Sequence, residues 1–437
     1  MRASIVLATA SASLAIIAAC AGSEDEPPVP IDPPPATIPD AGAPDADIPD
    51  VDVPDTRLPD CSSAGWCITP FPDENLDFRD IWPLEDVAFA IAESRTEGVK
   101  FLEWKKSTNA WEYIDDLSQN GAGSGTFAGG VYAPSANEVY FAVGASYVYH
   151  GKRPVAPETK WTWTQTKLPD GIAGHPTTHD HGRPRYNITN EPVAAFGIWG
   201  AGANDVYAHY SNTIFRRDPE GGTWSAVYTV DDLESEGEHA FFRAASGTGP
   251  DDIWFVGARD RLYYSCPLVV RKTANGWERV ADGVVHDDTF APCSERAGTL
   301  HIGNGFGGWI TDIQPVSANE YVALHDEIEF GFLKQVELTR FRVSESGHSF
   351  EQSVVPVKLA TSSGPPPIMS SLWRGAGETW FTSWGLVLRG TDDGTYSVST
   401  LSRDGAPVRT QFHKIRGTSN QDLWAIGARH AYHKTTP

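Results

Sequence analysis

The sequence predicts an all-β fold. Seven antiparallel units of four strands each close into a ring through a strand from near the N-terminus, behind a disordered, acidic, Pro-rich tether. Three observations predict it. One short phrase recurs seven times, each repeat has room for four short strands, and the last repeat lacks a fourth strand that the start of the folded region can supply.

The phrase is an acidic residue followed by an alternating aromatic-apolar run. It reads DVAFAI at Asp86, EVYFAVG at Glu138, DVYAHY at Asp205, DIWFVG at Asp252, EYVALH at Glu320, ETWFTS at Glu378 and DLWAIG at Asp422. Successive acidic residues are 52, 67, 47, 68, 58 and 44 positions apart. Period-two alternation of Val, Tyr, Trp and Phe is strand chemistry, and a repeat of this length built from strands means blades. In the third unit Ala195–Trp199 reads as the inner strand and GAGAND as a turn. Asp205–Tyr210, NTIFRRD and TWSAVY read as the next three strands. One such sheet leaves both faces and two edges uncovered, whereas seven stacked radially cover one another, so the architecture predicted is a seven-bladed β-propeller. The recurring acid is expected to cap a turn in each blade.

The ends of the chain are informative. The final unit stops at ARHAYHKTTP, one strand short, while SAGWCITP at Ser63–Pro70 carries a Gly-Trp strand opening. Gly65–Thr69 is therefore expected to complete the last blade, with Cys61–Cys67 stapling the seam. Of five cysteines, Cys61, Cys67, Cys266 and Cys293 form an even set in an exported chain, which suggests two disulfides. Three pairings are open; the sequence-local ones, Cys61–Cys67 and Cys266–Cys293, are favoured.

Ahead of the blades, Arg2 and the apolar run Ile5–Ala19 form a secretory signal too short to span a membrane. It ends in Ile17-Ala18-Ala19-Cys20, which resembles the lipobox of bacterial lipoproteins. That resemblance implies lipidation of Cys20, and Ala21 after it implies sorting to the outer membrane, with a periplasmic or cell-surface position. Residues 21–60 hold 11 Pro, 11 Asp/Glu and one Arg, with Pro-Asp recurring every five residues from Pro39 to Asp60. Such a segment cannot form a core and reads as an extended tether, spanning at most roughly 120 Å at ~3.1 Å per residue. The domains expected are thus 1–20 signal, 21–60 tether and 61–437 propeller.

The net charge is −23, and the tether accounts for −10 of it. An acidic chain without a basic stripe is a poor binder of nucleic acid or of anionic lipid. Membrane contact is expected through the N-terminal lipid only, and the propeller is expected to be a monomer.

The blades resemble those of secreted bacterial β-propeller lipoproteins, whose repeats read roughly Trp-Gly-x4-Asp-Val-Trp-Ala-Val-Gly. The resemblance covers about residues 63–437; Glu138, Glu320 and Glu378 depart from its Asp, and the fifth unit lacks the closing Gly. Propellers bind at the channel mouth or through long loops. One long insertion carries GHPTTHDHGRPRYN, where His175, His179, Asp180 and His181 are candidate ligands for zinc, copper or nickel. A second contains His286, Asp287, Asp288 and GNGFGG; the latter reads as a turning loop, since no Lys or helix follows it. Arg243, Arg374 and Arg416 lie near the ends of inner strands and are candidate channel-lining residues.

No spaced catalytic motif is present. The expected function is a lipid-anchored extracytoplasmic propeller that binds or presents a surface to a protein or glycan partner, without catalysis and without a required cofactor. Two alternatives are a carbohydrate-active hydrolase or lyase at the channel mouth, and a metal-binding surface lipoprotein using the His175–His181 loop.

Overall fold

The structure is a computed structural model. It describes residues 61–435 except 122–126, 145, 170–184, 187–191, 194–195, 234–237, 262–263, 287–291, 304–306, 330–331, 357–367 and 404–405. The signal, Cys20, the tether, Asp287, Asp288 and the candidate ligands His175, His179, Asp180 and His181 lie outside the described residues.

Seven four-stranded antiparallel sheets form the ring, six of them pairing their strands in sequence order. The first comprises Asp77–Pro83, Val87–Ser94, Gly98–Lys105 and Ala110–Tyr113. The other inner strands are Phe127–Ser135, Phe196–Gly202, His239–Gly249, Gly308–Ser317, Ser371–Gly375 and Phe412–Ser419. Ring closure follows the sequence expectation. Trp66–Ile68 is the fourth strand of the last sheet, in register Trp66↔Lys434, Cys67↔His433 and Ile68↔Tyr432. Trp66 is fully buried, donates from Nε1 to Ser399 Oγ at 2.8 Å, and meets the Trp380 ring edge-on at 6.1 Å. Cys61–Cys67 and Cys266–Cys293 are both disulfides. Among the described residues no helix is long and apolar enough to cross a membrane.

The apolar core is divided. Each cleft between neighbouring blades holds its own cluster, such as Trp104, Trp111, Trp424 and Ile426 between the first blade and the last. Another joins Trp254 and Val269 of the fourth blade to Ile310, Tyr321 and Phe341 of the fifth. Every blade is thus stabilised by both neighbours, and opening the ring anywhere exposes two apolar faces.

We call the end where the inner strands begin the upper face. At the lower face the repeated acid has a fuller role than turn capping: it binds a basic side chain on, or directly after, the third strand of its own blade. The pairs are Asp86–Lys106, Glu138–His150, Asp205–Arg216, Asp252–Arg271, Glu320–Arg340, Glu378–Arg389 and Asp422–His433. In five blades that basic side chain also lies against the aromatic residue two positions after the acid. His150 stacks on Tyr140 and His433 on Trp424, at 4.3 and 4.0 Å, and Arg271 covers Trp254 at 5.3 Å. Arg216 over Tyr207 and Arg389 over Trp380 complete the five. An arginine held between a carboxylate and a ring face keeps part of its charge compensated as the blade packs. The turn-capping role is real in two blades, where Thr248 and Thr418 donate to Asp252 and Asp422.

The upper face is uneven. In blades four and five the strands run long: His239–Gly249, Asp252–Arg261 and Tyr264–Thr273, then Gly308–Ser317, Glu320–Glu329 and Phe332–Ser344. Their extensions rise together, joined by a parallel bridge between Ser265 and Gly307. Gly307 has φ +72°, and a Cβ there would lie 1.7 Å from the Ser265 carbonyl oxygen, so that position admits only glycine. Beside it Arg259 is fully buried among Asp282 at 2.6 Å, Glu238 at 2.8 Å and Asp232 at 2.6 Å. Arg279 and Arg296 bind Asp232 and Asp282 from outside. This network and the Cys266–Cys293 bond brace the insertion that follows the fourth blade.

Candidate functional site

The seven inner strands surround a cavity of about 490 Å³ along the ring axis. Its lining is not a repeat of one side chain, because five inner strands break register just inside the upper face. The extra residues are Arg79, the Gly129–Gly130 pair, Arg243, Thr311 and His413. A bulge re-aims the residue it inserts, and all of these line the cavity. Gly129 permits the second blade to come close, since a Cβ there would sit 2.7 Å from the Phe196 carbonyl oxygen.

Two cations in the wall are consumed by neighbours. Arg79 lies 3.0 Å from Asp77 and 2.8 Å from Glu93, and His413 reaches Asp77 at 2.9 Å. Arg416 grips Asp312 with two nitrogens at 2.9 and 3.0 Å and donates to Ser371 Oγ and the Leu372 and Ile415 carbonyls. Asp312 also accepts from the Leu372 amide, so this pair ties blades five, six and seven together. Burial alone would lift the Asp312 carboxyl; the charges of Arg416 and Lys414 and the hydrogen bonds from Arg416 and Ser371 hold it down at about 2. Glu93 and Asp80 likewise accept from the Ala128 and Val131 amides at 2.8 Å, stapling blade one to blade two.

Other groups are less engaged. Lys414 has its closest carboxylate, Asp80, at 3.8 Å. Burial and the charge of Arg416 depress its proton affinity, against the pull of Asp312 and Asp80. Asp326, at the top of the long fifth blade, is 8% exposed, and its Oδ1 has no hydrogen-bond partner among the described residues. Burial lifts its carboxyl to about 7 despite the opposing charges of Arg243 and His325. His209 is buried, which holds it down at about 3 against a backbone hydrogen bond at Phe242, and its Nδ1 has no partner among the described residues. Toward the lower mouth the wall turns aromatic, with Trp82, Trp199 and Trp373.

Of the sequence-predicted candidates, Arg243 and Arg416 line this cavity. Arg374 does not. It turns outward along its own blade to Asp392, at 2.7 and 2.9 Å, and to Thr379, because the turn after the third strand offers the nearer carboxylate. The three arginines therefore do not converge. His286 is held by Ser294 at 2.8 Å, away from the channel. Sequence reading missed Asp326, Lys414, Arg79 and His209. The signal available was a charged residue inside an otherwise apolar strand, as in ALHDEIE and HKIRG, but which face it takes depends on bulges that a single sequence does not mark. Among the described residues, no three His, Cys, Asp or Glu side chains come together to hold a metal ion.

On the upper face beside the cavity, Trp384 is 63% exposed and forms an isolated bridge with Gln411, itself a lining residue.

No protein-family model matches the sequence, and no curated protein matches it. Solved structures do. YCF48 bound to D1 peptide shares 13% identity at a TM-score of 0.52, over 87% of this chain and 100% of that one. YCF48 from Cyanidioschyzon merolae shares 12% at 0.49, over 85% and 99%. PorZ, a bacterial surface component of the type-IX secretion system of Porphyromonas gingivalis, shares 11% at 0.50, over 82% of this chain and 46% of that one. The seven sheets and their closing strand establish this chain as a seven-bladed β-propeller, and the likenesses at TM-scores of 0.52 and 0.50 agree with that fold.

Proposed function

We propose that this protein is a non-catalytic binding propeller that docks a partner protein on its upper face, exported and held at the bacterial outer membrane through a lipid on Cys20. Residues 1–20 are the signal, 21–60 the tether and 61–437 the propeller, which acts as a monomer. The observation that carries the reading is the asymmetry of the two faces. The lower face repeats one pairing of an acid with a basic side chain around the ring, while the upper face raises two long, cross-braced blades beside an open channel and an exposed Trp384. Fixed, shaped relief next to an exposed aromatic is what protein docking sites use. A propeller of this fold has been solved with a peptide bound, and PorZ is described as a surface component.

The hydrolase or lyase alternative at the channel mouth gains no support from the arginines, since Arg374 and Arg416 are committed to Asp392 and Asp312. Metal capture by the His175–His181 loop rests on the sequence alone; His179→Ala would abolish a zinc-, copper- or nickel-induced rise in melting temperature.

The test is photo-crosslinking in intact cells, with a crosslinking residue at Trp384 or at Lys106. Discrete adducts from the upper position alone support the reading. Adducts from the lower position alone, or turnover of a glycan substrate by the purified chain, contradict it.

A further inference from the structure

The chain that precedes the propeller joins it at the strand that shuts the ring, so tension on that chain is applied at the closure. The closing strand, Trp66–Ile68, is three residues long and forms the outer edge of blade seven. Its backbone pairs with Lys434, His433 and Tyr432, and Trp66 lies at the lower end, opposite Lys434. The Trp66 side chain reaches across to blade six, at Ser399 and Trp380. Just beyond the strand, Thr69 donates to the Ala431 carbonyl from both its amide and its hydroxyl. It accepts from Trp111 Nε1 of blade one at 3.0 Å. Blades six, seven and one are thus held together at Trp66–Thr69.

A short edge strand resists least when it is lifted from one end, because its contacts then break one at a time. Trp66 is the end at which the N-terminal segment arrives. It stands beside Lys434, close to the other end of the chain, so drawing the two termini apart opens the pair from Trp66 onward.

The Cys61–Cys67 bond changes where that pull acts. Both cysteines belong to the N-terminal segment, so the bond does not cross the seam to blade seven. It closes a loop over residues 62–66 instead. Inside the loop the Ser62 amide donates to the Trp66 carbonyl at 2.7 Å and the Gly65 amide to the Ser62 carbonyl at 3.0 Å. The Cα atoms of Cys61 and Cys67 are 4.0 Å apart, far less than the six-residue path along the backbone. Tension arriving at Cys61 therefore passes through the two sulfurs and leaves residues 62–66 slack. It reaches the strand at Cys67, its middle residue. A pull there must release the pairs of Trp66, Cys67 and Ile68 together, and the Trp66 contacts with blade six along with them.

We propose that the Cys61–Cys67 disulfide is a mechanical latch. It carries tension on the N-terminal segment past Trp66 to Cys67, so that the ring closure gives way in one concerted step instead of being peeled open. Its use in the cell rests on the proposed anchor at Cys20 and docking on the upper face, which together put the propeller under tension. The latch as a property of the fold rests on neither.

The test is force spectroscopy on the full-length chain in an oxidising buffer, with handles at Thr56 and Pro437, comparing wild type with Cys61→Ser/Cys67→Ser. Neither membrane nor partner enters the measurement, so its outcome is separate from theirs. Without the bond, stripping residues 62–66 lengthens the chain by roughly 17 Å at ~3.4 Å per extended residue, given the 4.0 Å spanned at rest. The variant is expected to show this step before the ring opens, and to open at least about tenfold faster at fixed force. Oxidised wild type is expected to open without it. Wild type treated with a dithiol reductant is expected to match the variant, since Cys61 is exposed while Cys266 and Cys293 are buried; this arm serves if the variant folds poorly. Cys266→Ser/Cys293→Ser, which leaves the latch intact, is expected to lack the early step. An early step of that length in oxidised wild type overturns the proposal. So does its absence from both the variant and the reduced wild type, or an equal opening rate with and without the bond.

Discussion

The lower rim and the upper channel mouth of this propeller are built from the same strands on opposite principles. At the lower rim each blade places an acid at the start of its second strand and a basic side chain across from it at the third, from Asp86–Lys106 to Asp422–His433. At the upper mouth the blades diverge: two bulges hold an arginine, Arg79 and Arg243, and three others hold Gly129–Gly130, Thr311 and His413. Uniformity marks what every blade needs in order to pack, and divergence marks where one surface must differ from its neighbours. The repeated motif is therefore a guide to stability, and the positions that break it are a guide to binding.

The comparison can be broken most severely where the upper face is braced. Arg259→Met removes the buried cation that Asp282 and Glu238 share, and is expected to cost about 3–5 kcal/mol in chemical denaturation. The lower rim should respond in proportion to burial. Asp252 accepts from Thr248, Trp254, Arg271 and Tyr321, and Asp252→Ala is expected to lose about 2–3 kcal/mol. Asp86→Ala, whose partner Lys106 is largely exposed, should lose less than about 0.5 kcal/mol. Equal losses at the two positions would show that the latch does not work through burial.

Asp326 sharpens the contrast from the other side, as a group kept at a cost to stability. Its folded carboxyl titrates at about 7 and an unfolded one near 3.8, so the folded state holds the extra proton between those values. Stability contributed by this group is present at low pH and declines as pH rises from about 4 through 7. Asp326→Asn should therefore stabilise the protein at pH 8 by on the order of 1–3 kcal/mol and give no gain near pH 4. A gain of equal size at both pH values would remove titration as its cause. His209 acts oppositely. Depressed to about 3 from 6.5, it withdraws stability as pH falls through that interval, so measurements on Asp326→Asn are best made as differences from wild type at each pH.

Much of the fold was legible in the sequence. The seven acids, the alternation after them and the Gly-Trp strand at Ser63–Pro70 were enough for blade number, strand order and closure, because packing between blades repeats the same local demand each time. The cation partner was harder to see: Arg216, His433 and Arg389 follow their acids by 11 residues, but Arg271 and Arg340 follow by 19 and 20, since hairpin length varies while register does not. The channel was the least legible. Arg374 and Arg416 occupy similar places in strand sequence, yet one turns out to Asp392 and the other in to Asp312. The choice is decided by where a carboxylate from another strand or blade happens to stand.

The smallest stability effect belongs to Trp384→Ala, below about 0.5 kcal/mol for an exposed side chain. That makes it half of the most direct test. Unfolding free energy and partner crosslinking in cells would be measured together for Trp384→Ala and Asp252→Ala, with the crosslinking residue at an unchanged upper-face position. The account predicts opposite patterns: Trp384→Ala keeps its stability and loses the adduct, while Asp252→Ala loses stability and, at temperatures where it remains folded, keeps the adduct. If Asp252→Ala abolished the adduct in folded protein while Trp384→Ala left it intact, the division between a structural lower rim and a binding upper face would be wrong.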